Sequence, residues 1–313
     1  MIIDIFTKKV KYKPPKLKKD DSSALRTKIC FKNLTGDIKM VVKLGIAKLG
    51  NIVSGLMTDL LLDERADRED FEAKIVSSGT KLTPEDAEPV VKALLSFNPD
   101  LVVVVSPNAA VPGPTKARTL LKEAGKKVIV ISDNAKLKEK LEEEGGFGYI
   151  LINADAMIGA RREFLDPVEM AIYNAELMKV LAGTGAFRVL QLALDGCLTA
   201  IKEGRECELP KVVMTPEKAT IDEFCNPYAR SKAIAAYEMA AKVADINVKA
   251  CFMTKEWEKY VPLTTASHEM MRYAAKLVDE AREIEKADDS VRRMPHAKDG
   301  KLLCKTALIS KPE

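Results

Sequence analysis

The chain has 313 residues, of which 47% are hydrophobic and 31% charged, and its formal net charge is +4. That length suits an α/β domain and a second region of similar size, since domains usually span about 100–200 residues. No window approaches the roughly 18 consecutive apolar residues of a membrane helix, and the first residues lack the apolar core of a secretory signal. We therefore expect a cytoplasmic protein with no membrane partner.

Residues that commonly bind metals are sparse. The six cysteines form no C-x-x-C pair, and the only histidines are His268 and His296. Zinc and iron–sulfur sites need several of these residue types at short spacings. The sequence therefore predicts no metal, and the cysteines are expected to be small buried hydrophobic residues of a reducing compartment.

The positive charge is concentrated in residues 1–39. This segment holds ten Lys and one Arg against four Asp, a net charge of +7, which leaves −3 for the other 274 residues. The lysine-rich, proline-broken run KKVKYKPPKLKKDD favours a basic N-terminal extension, which we predict to be disordered. Nucleic-acid binding by this tail is a minority interpretation, and Met40 is a candidate for the ordinary start of the chain.

From Val41 onward the sequence alternates predicted strands and helices. The run LVVVVS has β-branched residues without alternation, as in parallel strands that are buried on both faces. Thr83 followed by Pro84 is typical of the start of a helix. Five strands joined by helices predict an α/β fold with a doubly wound, mostly parallel sheet, in a Rossmann-like domain over residues 40–153. The predicted strands are the run VVKLGIA and residues 71–78, 101–106, 127–132 and 148–153.

Residues 154–288 show the 3.6-residue period of helices and are predicted to form mainly a helical bundle. One helix is expected to open at Pro227 and another at Ser267. Between them, the runs NVKACFMT and EKYVPLTT predict short strands near 247–265.

The last segment, residues 289–313, contains an Asp299-Gly300 pair beside an apolar run. Such a pair favours a tight turn between two strands. We therefore predict a small C-terminal β hairpin after the helical bundle.

Loops at the carboxyl ends of the strands are the expected place for a ligand, as in other open parallel sheets. The first such loop, KLGNIVSG, supplies Gly50, Asn51 and Ser54 as candidate cofactor-binding residues. It lacks the G-x-G-x-x-G fingerprint and the acid that binds ribose, which disfavours an ordinary NAD site. A tight turn that simply needs glycine is the alternative interpretation.

The second loop, SPNAAVPGPTKAR, is stiffened by three prolines and follows the buried strand. A rigid loop loses little entropy when it binds, which suits a flat ring as ligand. A purely structural turn is an equally good interpretation. The candidate cofactor-binding residues are Ser106, Pro107, Asn108 and Gly113, and the candidate anion-binding residues in the next helix are Lys116 and Arg118.

The third loop, AMIGARREFLDP, places Arg161 and Arg162 before a helix that Asp166 and Pro167 are predicted to start. Two adjacent arginines favour either a solvated surface, ion-paired with Glu163, or a forked cation site for phosphate or carboxylate groups.

His268 and Glu269 are the remaining candidates for chemistry. They are either an acid/base pair or, more commonly for a histidine beside a glutamate, a helix cap. No nucleophile triad and no phosphate-binding loop of the P-loop type is present. The residues alone therefore indicate an α/β ligand-binding protein with an anion site, and they leave the reaction open.

Long strings in these regions resemble a known family. LLLDERADRED, PNAAVPGPTKAR, GYILINADAMIGARREFLDPVEMAIYNAELMKVLAGTG, ASHEMM and MPHAKDGK are similar to the archaeal methylenetetrahydromethanopterin dehydrogenases that use coenzyme F420. The resemblance covers about residues 40–313.

The resemblance implies reversible hydride transfer between 5,10-methylenetetrahydromethanopterin and the deazaflavin ring of coenzyme F420, in the one-carbon metabolism of methanogens. It also implies a dissociable coenzyme, no metal, no tightly bound prosthetic group, and a homo-oligomer, expected to be a hexamer. Hydride transfer requires positioning of two rings, so no acid/base residue is expected. The rivals are an NAD(P)-dependent dehydrogenase of similar fold and a nucleic-acid-associated protein that acts through the basic tail.

Under this resemblance the loop residues named above receive the ring system, and the cations anchor the anionic ends of coenzyme or substrate. A methenyl cation develops when the hydride leaves, and nearby carboxylates would stabilise it. The candidates for that electrostatic role are Asp155, Glu163 and Glu269, and the candidate substrate or anion-binding residues are Lys116, Arg118, Arg161, Arg162 and His268.

Overall fold

A parallel sheet of six strands organises the part of the chain that the computed structural model describes, namely residues 41–62, 66–156 and 166–313. The strand order is β2-β1-β3-β4-β5-β6, so the direction of winding reverses between β1 and β3. The strands are β1 (Val42–Lys48), β2 (Phe71–Ser77), β3 (Leu101–Val105), β4 (Lys127–Ser132), β5 (Phe147–Leu151) and β6 (Lys211–Val213).

Helices cover both faces of this sheet. In β3, the side chains of Leu101, Val103 and Val105 pack into one hydrophobic cluster, and those of Val102 and Val104 into another. The helices are α1 (Val53–Leu62), α2 (Pro84–Phe97), α3 (Pro112–Glu123), α4 (Leu137–Glu144), α5 (Pro167–Gly183), α6 (Ala186–Lys202), α7 (Pro216–Thr220), α8 (Pro227–Val248) and α9 (Trp257–Ala287).

The predicted α/β fold with a parallel, doubly wound sheet is confirmed. The five predicted strands are present, and β6 is a sixth that the sequence did not reveal. It has only three residues, all at least partly exposed, so it carries too little hydrophobic pattern to be recognised.

The helical region packs directly on the sheet. One hydrophobic cluster combines strand residues such as Ile46 and Ile129 with helix residues such as Tyr173, Leu190 and Tyr237. Residues Met40–Glu313 accordingly form one compact unit. The finer division at residues 153 and 288 stays a prediction.

Several helix starts follow local chemistry. The Thr83 side chain accepts a hydrogen bond from the amide of Asp86, and Asp166 accepts one from Val168 at 2.8 Å. A proline follows each cap, where its missing N–H is not needed. The Thr83 and Asp166 helix starts agree with the sequence prediction.

The predicted short strands near 247–265 are wrong. The segment Lys249–Met253 forms a π-helical turn that continues α8, and α9 begins at Trp257, ten residues before the predicted start at Ser267. Pro262 lies inside α9. Aromatic and β-branched residues favour strands locally, but here the segment lies in two long helices that contact each other, with Tyr260 and Thr264 buried, and this tertiary context overrides that preference.

The C-terminal segment contains a turn at Gly300, whose φ is +84°. Instead of regular hairpin strands, it has two isolated antiparallel bridges, Arg293 with Lys305 and His296 with Leu302. His296 Nε2 also lies 2.8 Å from an Asp195 carboxylate oxygen of α6. The segment is therefore held both by its own backbone hydrogen bonds and by contacts with the helices.

Candidate functional site

A cleft of about 960 Å³ opens at the carboxyl ends of β3, β4 and β5. Loop residues after these strands form one wall, and the second half of α8 forms the other. Open parallel sheets bind ligands at this edge. The lining that matters for the chemistry consists of Pro107, Asn108, Asp133, Asn134, Lys136, Asn153, Glu238, Lys242 and Asp245.

Asp133 lines the cleft directly after β4, and sequence reasoning missed it. Burial raises the pKa of its carboxyl to about 8, and the negative charge of Asp155 contributes. Asp133 is therefore a protonated acid at neutral pH, able to donate a hydrogen bond into the cleft. Its only sequence signal was its position just after a predicted strand. Residues that follow β1, β3 and β5 have the same signal, so it did not single out Asp133.

Asp155 is completely buried beneath the loops. Its carboxylate oxygens accept hydrogen bonds from the amides of Val53 at 3.0 Å and Ser54 at 2.9 Å. It thus caps α1 from the end of β5. Burial raises its pKa to about 6, against the effect of these hydrogen bonds, so it is mostly ionised at neutral pH.

The first predicted loop is mainly structural. Gly50 has a φ of +79°, and a Cβ there would lie 2.9 Å from atoms of Leu82 and Pro107. Ser54 is buried at the start of α1, whereas Asn51 is exposed at the edge of the sheet. Of the three candidates in this loop, only Asn51 is exposed to solvent.

The second predicted loop contributes directly to the cleft. Pro107 and Asn108 line it, and the Asn108 side-chain oxygen accepts a hydrogen bond from Asn134 Nδ2 at 3.2 Å. Ser106 is buried, and its hydroxyl has no hydrogen-bond partner among the described residues. A buried polar group without a partner is costly, but this hydroxyl does not line the cleft and so does not face a ligand there.

Gly113 serves the protein's own backbone. Its amide donates to the Leu82 carbonyl at 3.1 Å, and a Cβ at this position would overlap that carbonyl oxygen. The backbone that comes close to Gly113 is therefore that of Leu82, just before α2, and not a ligand.

The expectation that Arg118 binds an anion is corrected. Its guanidinium is completely buried, donates to both Glu144 carboxylate oxygens at 2.8 Å, and donates to the Ala109 carbonyl at 2.5 Å. This pairing lowers the pKa of Glu144. Lys116 lies 3.3 Å from Glu88 on the surface. Neither cation lines the cleft, because the helix turns one inward and the other away.

Two other lysines, which sequence reasoning missed, occupy the place expected for Lys116 and Arg118. Lys136 follows β4 and Lys242 lies on α8, and both line the cleft. Arg161, Arg162 and Glu163 lie outside the described residues, so their role stays a prediction.

His268 lies inside α9, within the helical region, and does not line the cleft. Its ring stacks on that of Tyr173, with centroids 4.3 Å apart. Burial lowers its pKa, so the ring is neutral at neutral pH. Glu269 is exposed and lies 3.7 Å from Arg272. The pair therefore does not start a helix, and the two side chains have separate surroundings.

A buried polar network supports the α8 wall. Asn247 donates to the Tyr173 hydroxyl at 3.0 Å, and the Ser267 hydroxyl donates to Asn247 at 2.5 Å. Tyr237, also on α8, donates to the Asn153 side chain at 2.9 Å. Satisfied buried networks of this kind favour one arrangement of the helices, so they set the width of the cleft.

The rim of the cleft is apolar near the π-helical turn. Phe252 lines the cleft with 69% of its surface exposed, and Met253 and Trp257 are also exposed. Turns of this type occur often at functional sites. Flat and flexible apolar side chains here are suited to a ring ligand or to a protein neighbour.

Within residues 41–62, 66–156 and 166–313, no group of three or more His, Cys, Asp or Glu residues is arranged to hold a metal ion. In the same ranges no single helix is long and apolar enough to cross a membrane, although α5 and α6 taken together would pass that test with a 68° bend between them.

The sheet and the cleft define the class of α/β proteins with a ligand-sized cleft at the carboxyl edge of a parallel sheet, between loops and a helical wall. The sequence matches the family described as methylene-5,6,7,8-tetrahydromethanopterin dehydrogenase over residues 42–313. The chain belongs to this family, and the predicted resemblance is confirmed.

Related proteins extend along most of the chain. It is 59% identical over 276 residues to the F420-dependent methylenetetrahydromethanopterin dehydrogenase of Archaeoglobus fulgidus and 55% identical over 277 residues to that of Methanocaldococcus jannaschii. Each match covers 88% of this chain and 100% of the relative.

A solved structure is similar to the whole family region. It is the F420-dependent methylene-tetrahydromethanopterin dehydrogenase in complex with methylene-tetrahydromethanopterin and coenzyme F420, with a TM-score of 0.84 and 50% identity. The match covers 88% of this chain and all of that one.

Proposed function

We propose that this chain catalyses reversible hydride transfer between 5,10-methylenetetrahydromethanopterin and oxidised coenzyme F420, giving 5,10-methenyltetrahydromethanopterin and the reduced coenzyme in methanogenic one-carbon metabolism. The observation that carries this proposal is the similarity, over the full length of the solved chain, to an enzyme in complex with both ligands. The curated relatives carry the same description.

The carboxyl-edge cleft is the proposed reaction site. Its volume of about 960 Å³ lies in the upper part of the range of small-molecule sites, which is suited to two ring systems. The side-chain amides of Asn108 and Asn134 provide hydrogen-bonding groups along one wall. These features fit a deazaflavin ring, which carries polar atoms along its edges.

The main task of the chain is positioning. Bound coenzyme F420 supplies a ring carbon that accepts a hydride, and the donor and acceptor carbons must lie about 3–3.5 Å apart. The rigid Pro107 loop and the Tyr237-supported wall of α8 hold the two sides of the cleft in place. Phe252 at the rim is placed to help exclude water.

The charges around the cleft suit a reaction that develops a cation. Asp155 is a fixed, mostly ionised carboxylate below the loops, and Glu238 and Asp245 add negative charge from α8. Such preorganised charges favour the methenyl cation over the neutral methylene form. Asp133 contributes a hydrogen-bond donor while it is protonated.

Lys136 and Lys242 are proposed to bind anionic groups of coenzyme or substrate at the cleft. Arg161 and Arg162 remain proposed for the same role. We also propose a cytoplasmic homo-oligomer, expected to be a hexamer, because large apolar side chains are exposed on several helices. These include Leu56, Val168, Ile172, Met253, Trp257 and Tyr273.

The test is absorbance of oxidised coenzyme F420 after mixing with the chain and methylenetetrahydromethanopterin, without nicotinamide. We expect the absorbance to fall and to recover when the reduced coenzyme and the methenyl product are supplied. NAD and NADP serve as parallel acceptors. An unchanged coenzyme spectrum with folded protein, or equal rates with NADP, would contradict the proposal.

A further inference from the structure

A second cavity, of about 760 Å³, lies where the end of α5, the start of α6 and the last turns of α9 meet the C-terminal segment. We call it the basic cavity. It shares no lining residue with the cleft. Its lining includes six cations and one carboxylate among the described residues: Lys179, Arg188, Arg282, Arg292, Arg293, Lys305 and Glu223.

Two of these cations are neutralised by nearby carboxylates. Lys179 lies 2.7 Å from Asp279, and Arg188 lies 3.5 Å from Glu223, whose side chain is only 8% exposed. Arg188 also donates to the Gln191 side chain at 2.6 Å. These pairs fix the wall of the cavity, and Glu223 also attracts Arg282 and Arg292 at longer range.

The other four cations have no carboxylate oxygen within 4.0 Å in the part of the chain that the structure describes. Arg292 donates to the Asp222 carbonyl at 2.7 Å, and Arg293 donates to the Thr306 carbonyl at 2.7 Å. Lys305 donates to the Leu308 carbonyl at 2.9 Å. Carbonyl groups orient a cation without cancelling its charge, so the six cations outnumber the two carboxylates paired with them, Asp279 and Glu223, and the cavity keeps an excess of positive charge.

This concentration of charge is local. Residues 40–313 together carry a net charge of −3, so the basic cavity is not part of a generally basic surface. Like charges brought together repel, and a bound anion removes that repulsion. Arginine forks match phosphate and carboxylate groups in particular.

The remaining lining is mainly apolar, with Phe187, Ala182, Val291 and Pro295 among its residues. A site of this volume and composition suits a small molecule more than a single ion. We propose that the basic cavity is a second binding site, separate from the cleft, for a small molecule that carries at least two phosphate or carboxylate groups.

The test uses the full chain at low ionic strength, with pyrophosphate and citrate as separate probes in isothermal titration calorimetry. We expect saturable binding of at least one probe, and the preference between them distinguishes a phosphate from a carboxylate ligand. The double variant Arg282→Gln, Arg292→Gln should weaken binding at least tenfold. Lys305→Gln is the second variant, should the double variant not fold.

The matched control removes the same charge elsewhere. Arg205 and Lys259 are exposed and pair with Glu203 and Glu256, so Arg205→Gln, Lys259→Gln should bind the probes as the unaltered chain does. Turnover is measured in parallel and should be unchanged in the cavity variants. If the unaltered chain binds the probes but shows no turnover, the proposed function is contradicted and the proposed second site is not.

Three results would overturn the second site. One is an absence of saturable binding for both probes. Another is equal weakening in the control variant, which would mean non-specific charge attraction. The third is loss of probe binding in the presence of saturating coenzyme F420, which would mean that the cavity is occupied by a ligand of the cleft.

Discussion

The cleft and the basic cavity are of similar size, but the charges of their linings differ. The cleft has two lysines beside Asp133, Glu238 and Asp245, whereas the cavity has six cations beside Glu223. A reaction that develops a positive charge is favoured in the first and opposed in the second. The comparison teaches that one fold can hold two sites of different electrostatic character, one with nearly balanced charges and one with an excess of cations.

The largest expected effect is a loss of stability when the buried cation Arg118 is removed. It tests whether Arg118 stabilises the fold or binds a ligand. Arg118→Ala should lower the free energy of unfolding by about 3 kcal/mol, because it removes a buried bidentate ion pair and leaves the Ala109 carbonyl unsatisfied. Urea denaturation measures this. Lys116→Ala, in the same helix, should change it by less than about 0.5 kcal/mol. A stable Arg118→Ala variant with weakened ligand binding would restore Arg118 as an anion-binding residue.

A somewhat smaller effect is expected at Gly113, which positions the proline-rich loop at the cleft. Gly113→Ala should cost about 2–3 kcal/mol, because the new Cβ overlaps the Leu82 carbonyl. Gly196, within α6, has open space where a new Cβ would lie, so Gly196→Ala is the matched control and should be neutral or slightly stabilising. Equal stability of the two variants would contradict the packing assigned to Gly113.

The electrostatic character of the cleft predicts a pH dependence at Asp133. Its pKa rises from an ordinary 3.8 to about 8 on folding, so the native state binds a proton more tightly than the unfolded chain between these values. This contribution to stability is complete below about pH 4 and is lost as pH rises through 8.

Asp133→Asn removes this titration and keeps a hydrogen-bond donor. The variant should melt a few degrees higher than the unaltered chain at pH 8.5, and the difference should vanish near pH 4. The turnover of the unaltered chain should decline as pH rises through 8, and that of the variant should not. If the melting temperature and the turnover of the two proteins changed with pH in the same way, a protonated Asp133 would be contradicted.

The cations of the cleft should influence binding more than the chemical step. Lys136→Ala and Lys242→Ala should each raise the KM of an anionic ligand by about threefold to tenfold, which corresponds to about 1 kcal/mol, with kcat changed less than twofold. Lys232→Ala, on the exposed part of α8 beside Glu280, is the control. Unchanged KM values for both ligands would remove these lysines from the site.

The smallest effect is expected at the basic N-terminal segment. The family match begins at residue 42, so removal of residues 1–39 should leave kcat and KM unchanged within error. Steady-state kinetics of the shortened chain measures this. A large loss of turnover would show that the segment contributes to the site or to subunit contacts.

Much of the fold was predictable because its signals are local. The all-apolar run of β3, the Thr83 cap and the Asp166 cap each depend on neighbouring residues. The misread segment, 247–265, has residues that suit strands by themselves, and only the packing of α8 against α9 makes them helical. The three-residue β6 gave too little pattern to be found.

The candidate site was predictable as a region more than as a set of side chains. The loop around Pro107 and Asn108 does line the cleft. Asp133 and Lys242 were missed because nothing in their neighbouring sequence distinguishes them from other charged residues. Arg118 was misassigned because its partner, Glu144, lies 26 residues further along the chain.

The amino-acid sequence by itself determined the parallel α/β architecture and the family, since both depend on hydrophobic periodicity and on long matching strings. Tertiary structure alone decided which charged groups meet. Asp155 reaches the amide of Val53 across 102 positions, and four cations from three separate parts of the chain surround one cavity. Electrostatic interactions act through space and not along the chain, so local patterns cannot reveal them.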